Sequence, residues 1–255
     1  MIVSYRSLAA MHFALASSAL ILGLSLAAAP LVPVSFRMTG RPPLVAAGGA
    51  SAGAEFGGES LADGERFVFF LSTASNLVPY DGNGPVLDLY RRDRAKGLTE
   101  LISLTTEGVA GRRPVLGFSA SAAADRIAFV WGGNDAAAGD TNDVEDVYVR
   151  DVSTGSTRLV SVRADRKGSG NGLSTAPAIS SDGRYVVFES RATDLVDGDD
   201  SNRAEDIFVR DLHLDTTERI SVTSTGSQAR GSSEAPTISA DGRYVAFHSG
   251  ANNLV

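Results

Sequence analysis

Ile179-Ser-Ser-Asp-Gly-Arg-Tyr-Val-Val-Phe188 decides the fold, because it returns nearly unchanged as Ile238-Ser-Ala-Asp-Gly-Arg-Tyr-Val-Ala-Phe247. The two copies are 59 residues apart, the difference between positions 241 and 182 of their Asp-Gly turns. A repeat with a fixed period of this length is typical of stacked supersecondary units that bury a shared core. The sequence therefore predicts an array of similar units.

Two further copies lie upstream, where Phe129 and Phe70 precede Phe188 by one and two such periods. Two other markers keep the same order in every unit. The first is Asp88-Leu-Tyr-Arg-Arg-Asp93, Asp146-Val-Tyr-Val-Arg-Asp151 and Asp206-Ile-Phe-Val-Arg-Asp211; the second is Ile102-Ser103-Leu104, Val160-Ser161-Val162 and Ile220-Ser221-Val222.

Each unit contains four predicted strands. The first ends near Pro177, and Asp182-Gly183 is a hairpin turn signal that leads into the second. The second strand, from Tyr185 to Phe188, is apolar on both faces, which is typical of a strand between two neighbouring sheets. The third covers Ile207 to Arg210, and the fourth is placed at the alternating Ile220-Ser221-Val222. Four short strands per unit predict the blades of an all-β propeller.

The Asp-Gly-Arg-Tyr-Val-Ala-Phe stretch, followed by Asp-Ile-Phe-Val-Arg-Asp, resembles the WD-repeat-like blades of bacterial TolB-type propellers over residues 50–255. The resemblance implies an exported protein with periplasmic protein partners. The repeats predict antiparallel blades at about residues 50–107, 108–166 and 167–226, with a partial blade at 227–255. Because closed propellers hold four to eight whole blades, we expect these three and a half blades to be a fragment of a larger closed propeller.

The N-terminal region has the pattern of a signal peptide over residues 1–29. A single basic residue, Arg6, precedes an Ala- and Leu-rich apolar run that ends at Ala27-Ala28-Ala29. An uncleaved membrane anchor is the alternative, because the run approaches spanning length. Residues 30–49 are predicted to be a linker, in which Val34-Ser35-Phe36 fits a closure strand for the last blade.

Composition narrows the class of protein further. The chain has no cysteine and a net charge of −7, from 23 basic and 30 acidic residues. Without cysteine there is neither a disulfide framework nor a lipid anchor on a cysteine, so stability must come from buried strands. The acidic balance disfavours phosphate-rich partners, and nucleic-acid binding is not expected.

Acidic loops between the second and third strands are the candidate metal sites. The spacing Asp-x-Asn-x3-Asp occurs twice, at Asp140, Asn142 and Asp146 and at Asp200, Asn202 and Asp206. Calcium prefers several oxygen ligands from such flexible loops. The alternative is that these side chains form turns by accepting bonds from nearby backbone amides. Blade 1 carries Gly82 and Gly84 at the first two positions, so no calcium site is expected there.

Two other features have structural interpretations. An Arg-Asp pair recurs at one blade position, as Arg92-Asp93, Arg150-Asp151 and Arg210-Asp211. The aspartate is predicted to start the turn into the fourth strand, and the arginine is predicted to pair with a neighbouring blade. A ring of charges around the channel is the alternative. Trp131 is expected to pack between blades, although a ligand platform is the other use of a lone tryptophan.

Function is less constrained than fold. No Gly-x-Ser-x-Gly motif is present, since Gly117-Phe118-Ser119-Ala120-Ser121 lacks the last glycine, so no catalytic residue is assigned. The chain is predicted to be an exported, non-catalytic binding or scaffold module for a protein or glycan, in the periplasm, cell envelope or extracellular space. The alternative is the substrate-gating propeller of a larger hydrolase or peptidase.

Overall fold

The computed structural model describes residues 61–254 except Asp199, and also four short strands before them. These four are β1 (Ile2–Ser4), β2 (Phe36–Arg37), β3 (Val45–Ala46) and β4 (Ser51–Ala52). β1 pairs with the last strand of the fold, and β2 pairs with β3. The rest of the predicted signal region and linker, including Val34 and Ser35 of the proposed closure strand, lies outside the described residues.

The described chain folds into antiparallel sheets that follow one another in sequence order. Blade 1 has β5 (Leu61–Ala62), β6 (Phe67–Ser72), β7 (Asp88–Asp93) and β8 (Leu98–Leu101), and β4 also pairs with β6. Blade 2 has β9 (Val115–Ala120), β10 (Arg126–Trp131), β11 (Asp146–Asp151) and β12 (Ser156–Leu159), and blade 3 has β13 (Ser174–Ile179), β14 (Tyr185–Ser190), β15 (Asp206–Asp211) and β16 (Thr216–Arg219). Blade 4 has β17 (Ser233–Ile238) and β18 (Tyr244–Ser249), and β18 pairs with β1. This is the predicted all-β propeller architecture, with a blade 4 that consists of two strands of the repeat and β1.

The Asp-Gly signal forms the predicted hairpin turn between the first and second strands. Gly183 adopts a φ of +69°, a conformation that glycine reaches without steric cost. Ser180 Oγ donates to Asp182 Oδ1 over 2.5 Å and accepts the Tyr185 N–H at 3.0 Å. The Ser-x-Asp-Gly string therefore closes the turn with its own side chains.

Apolar side chains of the second strands alternate between two neighbouring blades, as their sequence predicted. In β10, Phe129 packs in the core shared with blade 1, while Val130 packs in the core shared with blade 3. In β14, Phe188 belongs to the core with blade 2, while Val187 faces blade 4. A strand that is buried on both faces ties the blades on either side of it into one stack.

Backbone hydrogen bonds also join the blades, with the same 59-residue period. Asp63 N–H donates to the Ala122 carbonyl over 2.8 Å, Ala122 N–H to Ser181 over 3.0 Å, and Ser181 N–H to Ala240 over 3.0 Å. All four residues lie in the turn between the first and second strands of their blades. We call this row the turn ladder.

The fourth strand lies earlier than the sequence predicted. In blade 3 it is β16, and Ile220-Ser221-Val222 comes directly after it. The reason is chemical: Ser221 is fully buried, and its hydroxyl accepts the Ile207 N–H at 3.1 Å instead of lying on an outer face. The outward alternation is present in Thr216–Arg219, where exposed residues alternate with partly buried ones.

Candidate functional site

Each of the three complete blades has a buried carboxylate at the start of its third strand. These are Asp88, Asp146 and Asp206, each 1% exposed or less. The serine 15 positions later donates its hydroxyl to the carboxylate: Ser103 over 2.8 Å, Ser161 over 2.5 Å and Ser221 over 2.6 Å. The same hydroxyl accepts a backbone N–H of the third strand at 3.1 Å in every blade. The marker serine thus fastens the end of the blade to the start of its third strand.

An asparagine in each acidic loop links that loop to the segment that leads into the next blade. Asn142 Nδ2 donates to the Gly170 carbonyl over 2.7 Å, and Asn202 Nδ2 donates to the Ala229 carbonyl over 2.9 Å. Asn142 Oδ1 accepts the Val144 N–H at 3.1 Å. Both ends of the asparagine amide are therefore engaged in holding the loop.

A second carboxylate completes the cluster in blades 1 and 2. Asp81 accepts a hydrogen bond from Tyr90 Oη, and Asp140 accepts one from Tyr148 Oη. Both tyrosines are fully buried on the third strand. A buried phenol needs a partner for its hydroxyl, and this carboxylate supplies it.

Blade 3 reaches the same result with different residues. Phe208 replaces the tyrosine and has no hydroxyl to offer Asp200. Gln228 Nε2 donates to Asp200 Oδ1 over 2.7 Å and to Asp206 Oδ2 over 2.8 Å. Arg219 lies 3.4 Å from Asp200 and 3.6 Å from Asp206, on the face of the Phe208 ring. Blade 2 has Leu159 at the position of Arg219 and Ser169 at the position of Gln228. The two donors of blade 3 therefore occur in the blade that lacks the tyrosine hydroxyl.

Burial governs the protonation of the third-strand carboxylates. It raises the pKa of Asp146 to about 8 and that of Asp88 to about 6, against the hydrogen bonds that their serines donate. Asp140 adds to the rise at Asp146 by charge repulsion. The pKa of Asp206 is also raised by burial, but Ser221, Gln228 and Arg219 all oppose the rise. In blade 3 the arginine and the glutamine therefore favour the charged form of the carboxylate against the effect of burial.

The residues predicted to bind calcium lie together in each loop, and most of their oxygens accept bonds from protein donors, although Asp146 Oδ2 and Asp200 Oδ2 accept none. Tyr148 and the Asn142 N–H use both oxygens of Asp140, and Ser161 uses Oδ1 of Asp146. In blade 3 a guanidinium lies beside the two carboxylates. Among the residues that the structure describes, no group of three or more His, Cys, Asp or Glu side chains is arranged to hold a metal ion. Calcium binding stays a prediction.

Blade 1 does contain the cluster, contrary to the sequence comparison that placed Gly82 and Gly84 at its first two positions. The equivalent residues are Asp81 and Asn83, because this loop has one more residue before Asp88. Asn83 Nδ2 donates to Asp88 Oδ2 over 2.7 Å and to the Gly111 carbonyl over 2.5 Å. A fixed spacing therefore hid the match.

The Arg-Asp pairs have structural roles. The role predicted for the aspartate is confirmed, and the partner predicted for the arginine is wrong. Asp211 accepts backbone N–H groups of the turn that follows it, as predicted, and forms an ion pair of 2.7 Å with Arg184. Arg210, however, donates to Thr217 of its own blade over 3.0 Å. The partner lies directly opposite in the β15–β16 register, so the arginine does not need a neighbouring blade.

Trp131 packs between blades as predicted. It is fully buried in the core that blades 1 and 2 share, with its ring 6.2 Å from that of Phe129. A Cβ atom added to Gly111 would lie 1.7 Å from the indole ring. The glycine therefore leaves the space that the tryptophan fills.

No protein-family model and no curated protein matches the chain. Among solved structures, the chain is similar to TolB from Acinetobacter baumannii (17% identity, TM-score 0.44, 78% of this chain and 37% of that one). It is also similar to a putative TolB from Agrobacterium tumefaciens (16%, 0.42, 78% and 59%) and to the propeller domain of the Trilobed protease from Pyrococcus furiosus (11%, 0.41, 68% and 42%).

The solved structures to which the chain is similar thus include TolB, the type of propeller that its sequence motif resembles. Likeness at these identities concerns the fold alone. The chain spans 37% to 59% of the length of the two TolB structures. The described residues include no apolar helix of membrane-spanning length.

Proposed function

We propose that the chain is a non-catalytic propeller module that presents the loops of its blades to a protein partner in the bacterial cell envelope. One observation carries the proposal. The polar side chains that repeat from blade to blade bond to one another inside the blades, whereas loop residues at the blade edges differ between blades. A rigid scaffold whose repeated polar side chains bond mainly to one another and whose loops diverge is the arrangement in which recognition usually resides.

The polar clusters support this proposal through rigidity. Asp206 is held by Ser221 and Gln228, and Asn202 fixes the loop to the next segment. A loop tied at both ends loses little conformational entropy when a partner binds. The export half of the proposal rests on the signal-peptide pattern at residues 1–29.

Two measurements test the proposal. After expression of the full chain in a bacterial host, fractionation and N-terminal sequencing should place it in the envelope with an N-terminus near Ala29. Crosslinking and affinity capture from that fraction should enrich a protein that then binds the purified chain in calorimetry. A cytoplasmic, unprocessed chain contradicts export, and the absence of any enriched protein that binds in solution contradicts the binding role.

A further inference from the structure

A groove runs along the outer rim between blades 2 and 3. It consists of two adjoining cavities of about 440 and 160 Å³, which share Arg166, Arg210 and Asp215. Leu159 and Leu212 contribute apolar surface to the larger cavity. We call this feature the rim groove, and it lies outside the polar clusters described above.

The rim groove is cationic although the protein as a whole is acidic. Arg158, Arg166, Lys167 and Arg210 line the larger cavity together with a single carboxylate, Asp215. Asp215 pairs with Arg210 and lies 3.5 Å from Arg166. Among the described residues, Arg158 and Lys167 have no carboxylate within ion-pair distance. The smaller cavity adds Arg163 and the carboxylate of Asp197, so the basic side chains of the whole groove still outnumber its acidic ones.

Comparison of the blades shows that one of these positive charges, that of Arg158, occurs in blade 2 alone. Arg158 stands where blades 1 and 3 have Glu100 and Glu218 on the same outer strand. In blade 1, Glu100 forms a 2.5 Å ion pair with Arg91. Arg158 faces Val149 in the strand pairing and gains no such partner. The reversal of charge is therefore not required by the strand that carries it.

Arg166 occupies a backbone position that favours glycine. Its N–H closes the turn onto the Arg163 carbonyl, as the N–H groups of Gly108 and Gly226 do onto Thr105 and Thr223 in the other blades. The φ of Arg166 is +59°, against +78° and +83° for the two glycines. A side chain in this left-handed region is strained. Blade 2 accepts that strain and places a guanidinium in the groove.

Asp215 indicates what the groove can hold. Its carboxylate lies between two guanidinium groups, one buried and one on the surface. Burial lowers the pKa of Arg210, Asp215 opposes this effect, and the nearby charges of Arg166 and Arg158 reinforce it. A further carboxylate in the groove would relieve the repulsion among these cations, because arginine binds carboxylates through paired N–H donors.

We propose that the rim groove binds an acidic segment of a protein partner, with glutamate or aspartate side chains between Arg158, Arg166, Lys167 and Arg210. The shape favours a polypeptide over one compact anion, since the two cavities continue past the Arg166–Asp215 pair along the outer hairpin of blade 3. This inference rests on the proposed protein-binding function and names the chemistry of the partner.

Fluorescence anisotropy of the full chain with a labelled hexamer of alternating glutamate and glycine tests the proposal, with its glutamine counterpart as the control peptide. Arg158→Glu and Arg166→Gly introduce the residues of the other blades, and each should weaken binding by about tenfold or more. Arg166→Gly should not lower Tm, because glycine suits a positive φ. The matched control is Arg203→Gly, which also removes an exposed arginine with a positive φ, +54°, outside the groove. It should bind as the wild type does.

Binding should weaken as salt is added, because both partners carry exposed charges. Equal affinity of the wild type, Arg158→Glu and Arg166→Gly would falsify the proposal. If citrate displaces the peptide at equal carboxylate concentration, the ligand of the groove is a free polycarboxylate and the proposal of a polypeptide ligand is wrong. If a captured envelope partner binds Arg166→Gly unchanged, the groove assignment fails while the binding function stands. If no partner is captured but the peptide binds as described, the groove assignment stands while the proposed protein-binding function fails.

Discussion

A single buried carboxylate sets much of the pH response of a blade. Asp146 is fully buried, its Oδ2 has no hydrogen-bond partner, and its pKa is raised to about 8 by burial. Below about pH 4 the folded and unfolded states both hold the proton. Between about pH 4 and pH 8 the folded state keeps a proton that the unfolded chain has lost. The contribution of this residue to the free energy of unfolding therefore falls as pH rises through that range.

Asp146→Asn should remove this penalty. The amide keeps an oxygen for Ser161 and places an N–H donor near Asp140, as the protonated acid does. We expect the variant to match the wild type near pH 4 and to be more stable at pH 8 by on the order of 2 kcal/mol. Urea unfolding at both pH values measures the difference. A variant that is less stable at pH 8 would contradict the assignment.

A second prediction at the residue scale concerns blade 3, where Phe208 replaces the tyrosine and Arg219 lies beside the two carboxylates. Arg219→Leu should destabilise the protein by about 3 kcal/mol, because it leaves Asp200 and Asp206 buried beside one another without the cation.

The double variant Phe208→Tyr with Arg219→Leu restores the blade 2 arrangement of Tyr148 and Leu159 and should recover more than half of that loss. A double-mutant cycle from denaturant unfolding measures this coupling. Additive effects of the two substitutions would show that the two blades do not use equivalent solutions.

At the scale of elements, the contact between β10 and the segment before β9 depends on one missing methyl group. Gly111→Ala would place a Cβ atom 1.7 Å from the ring of Trp131. Since the indole is enclosed in the core of blades 1 and 2, we expect a loss of about 2–3 kcal/mol from overpacking. Gly82→Ala is the matched control, because nothing lies within 4 Å of its added Cβ. Thermal unfolding of the two variants compares them, and equal Tm values would contradict the packing argument.

The strands could be predicted from sequence because their signals are local. The Asp-Gly turn and the apolar run from Tyr185 to Phe188 each specify a hairpin or a doubly buried strand within a few residues. The polar clusters could not be predicted this way, because Ser221 reaches Asp206 across 15 residues. A signal was present all the same: the serine keeps that spacing in all three blades. The rim groove depends on packing between blades, which the spacing of residues within one blade does not specify.

At the scale of the whole molecule, the main contacts between blades in residues 61–254 join successive blades. The apolar cores lie between successive blades, and the turn ladder joins each blade to the next one. Stability in such an array is roughly a sum of blade terms and nearest-neighbour terms. Damage to one interface therefore weakens the two blades beside it before it affects the others.

Hydrogen exchange can test this picture. The amides of Ala122 and Ser181 donate bonds between blades, so they should exchange only when the blades separate, at rates near those of the core strands. The amide of Thr225 bonds only to Thr223 of its own exposed loop and should exchange faster. NMR-detected exchange resolves these sites, and rapid exchange at Ala122 would show that the ladder does not persist in solution.

The turn ladder also has a direction. Every donor lies in the earlier blade and every acceptor in the later one, so the peptide groups at Ala122 and Ser181 point the same way. Each of these peptide groups carries a dipole. The stack of blades therefore carries a polarity of its own, with carbonyl groups directed toward blade 1 and N–H groups toward blade 4. A negative charge would be favoured at the blade 4 end of the row, toward which the N–H groups point, and a positive charge at the blade 1 end.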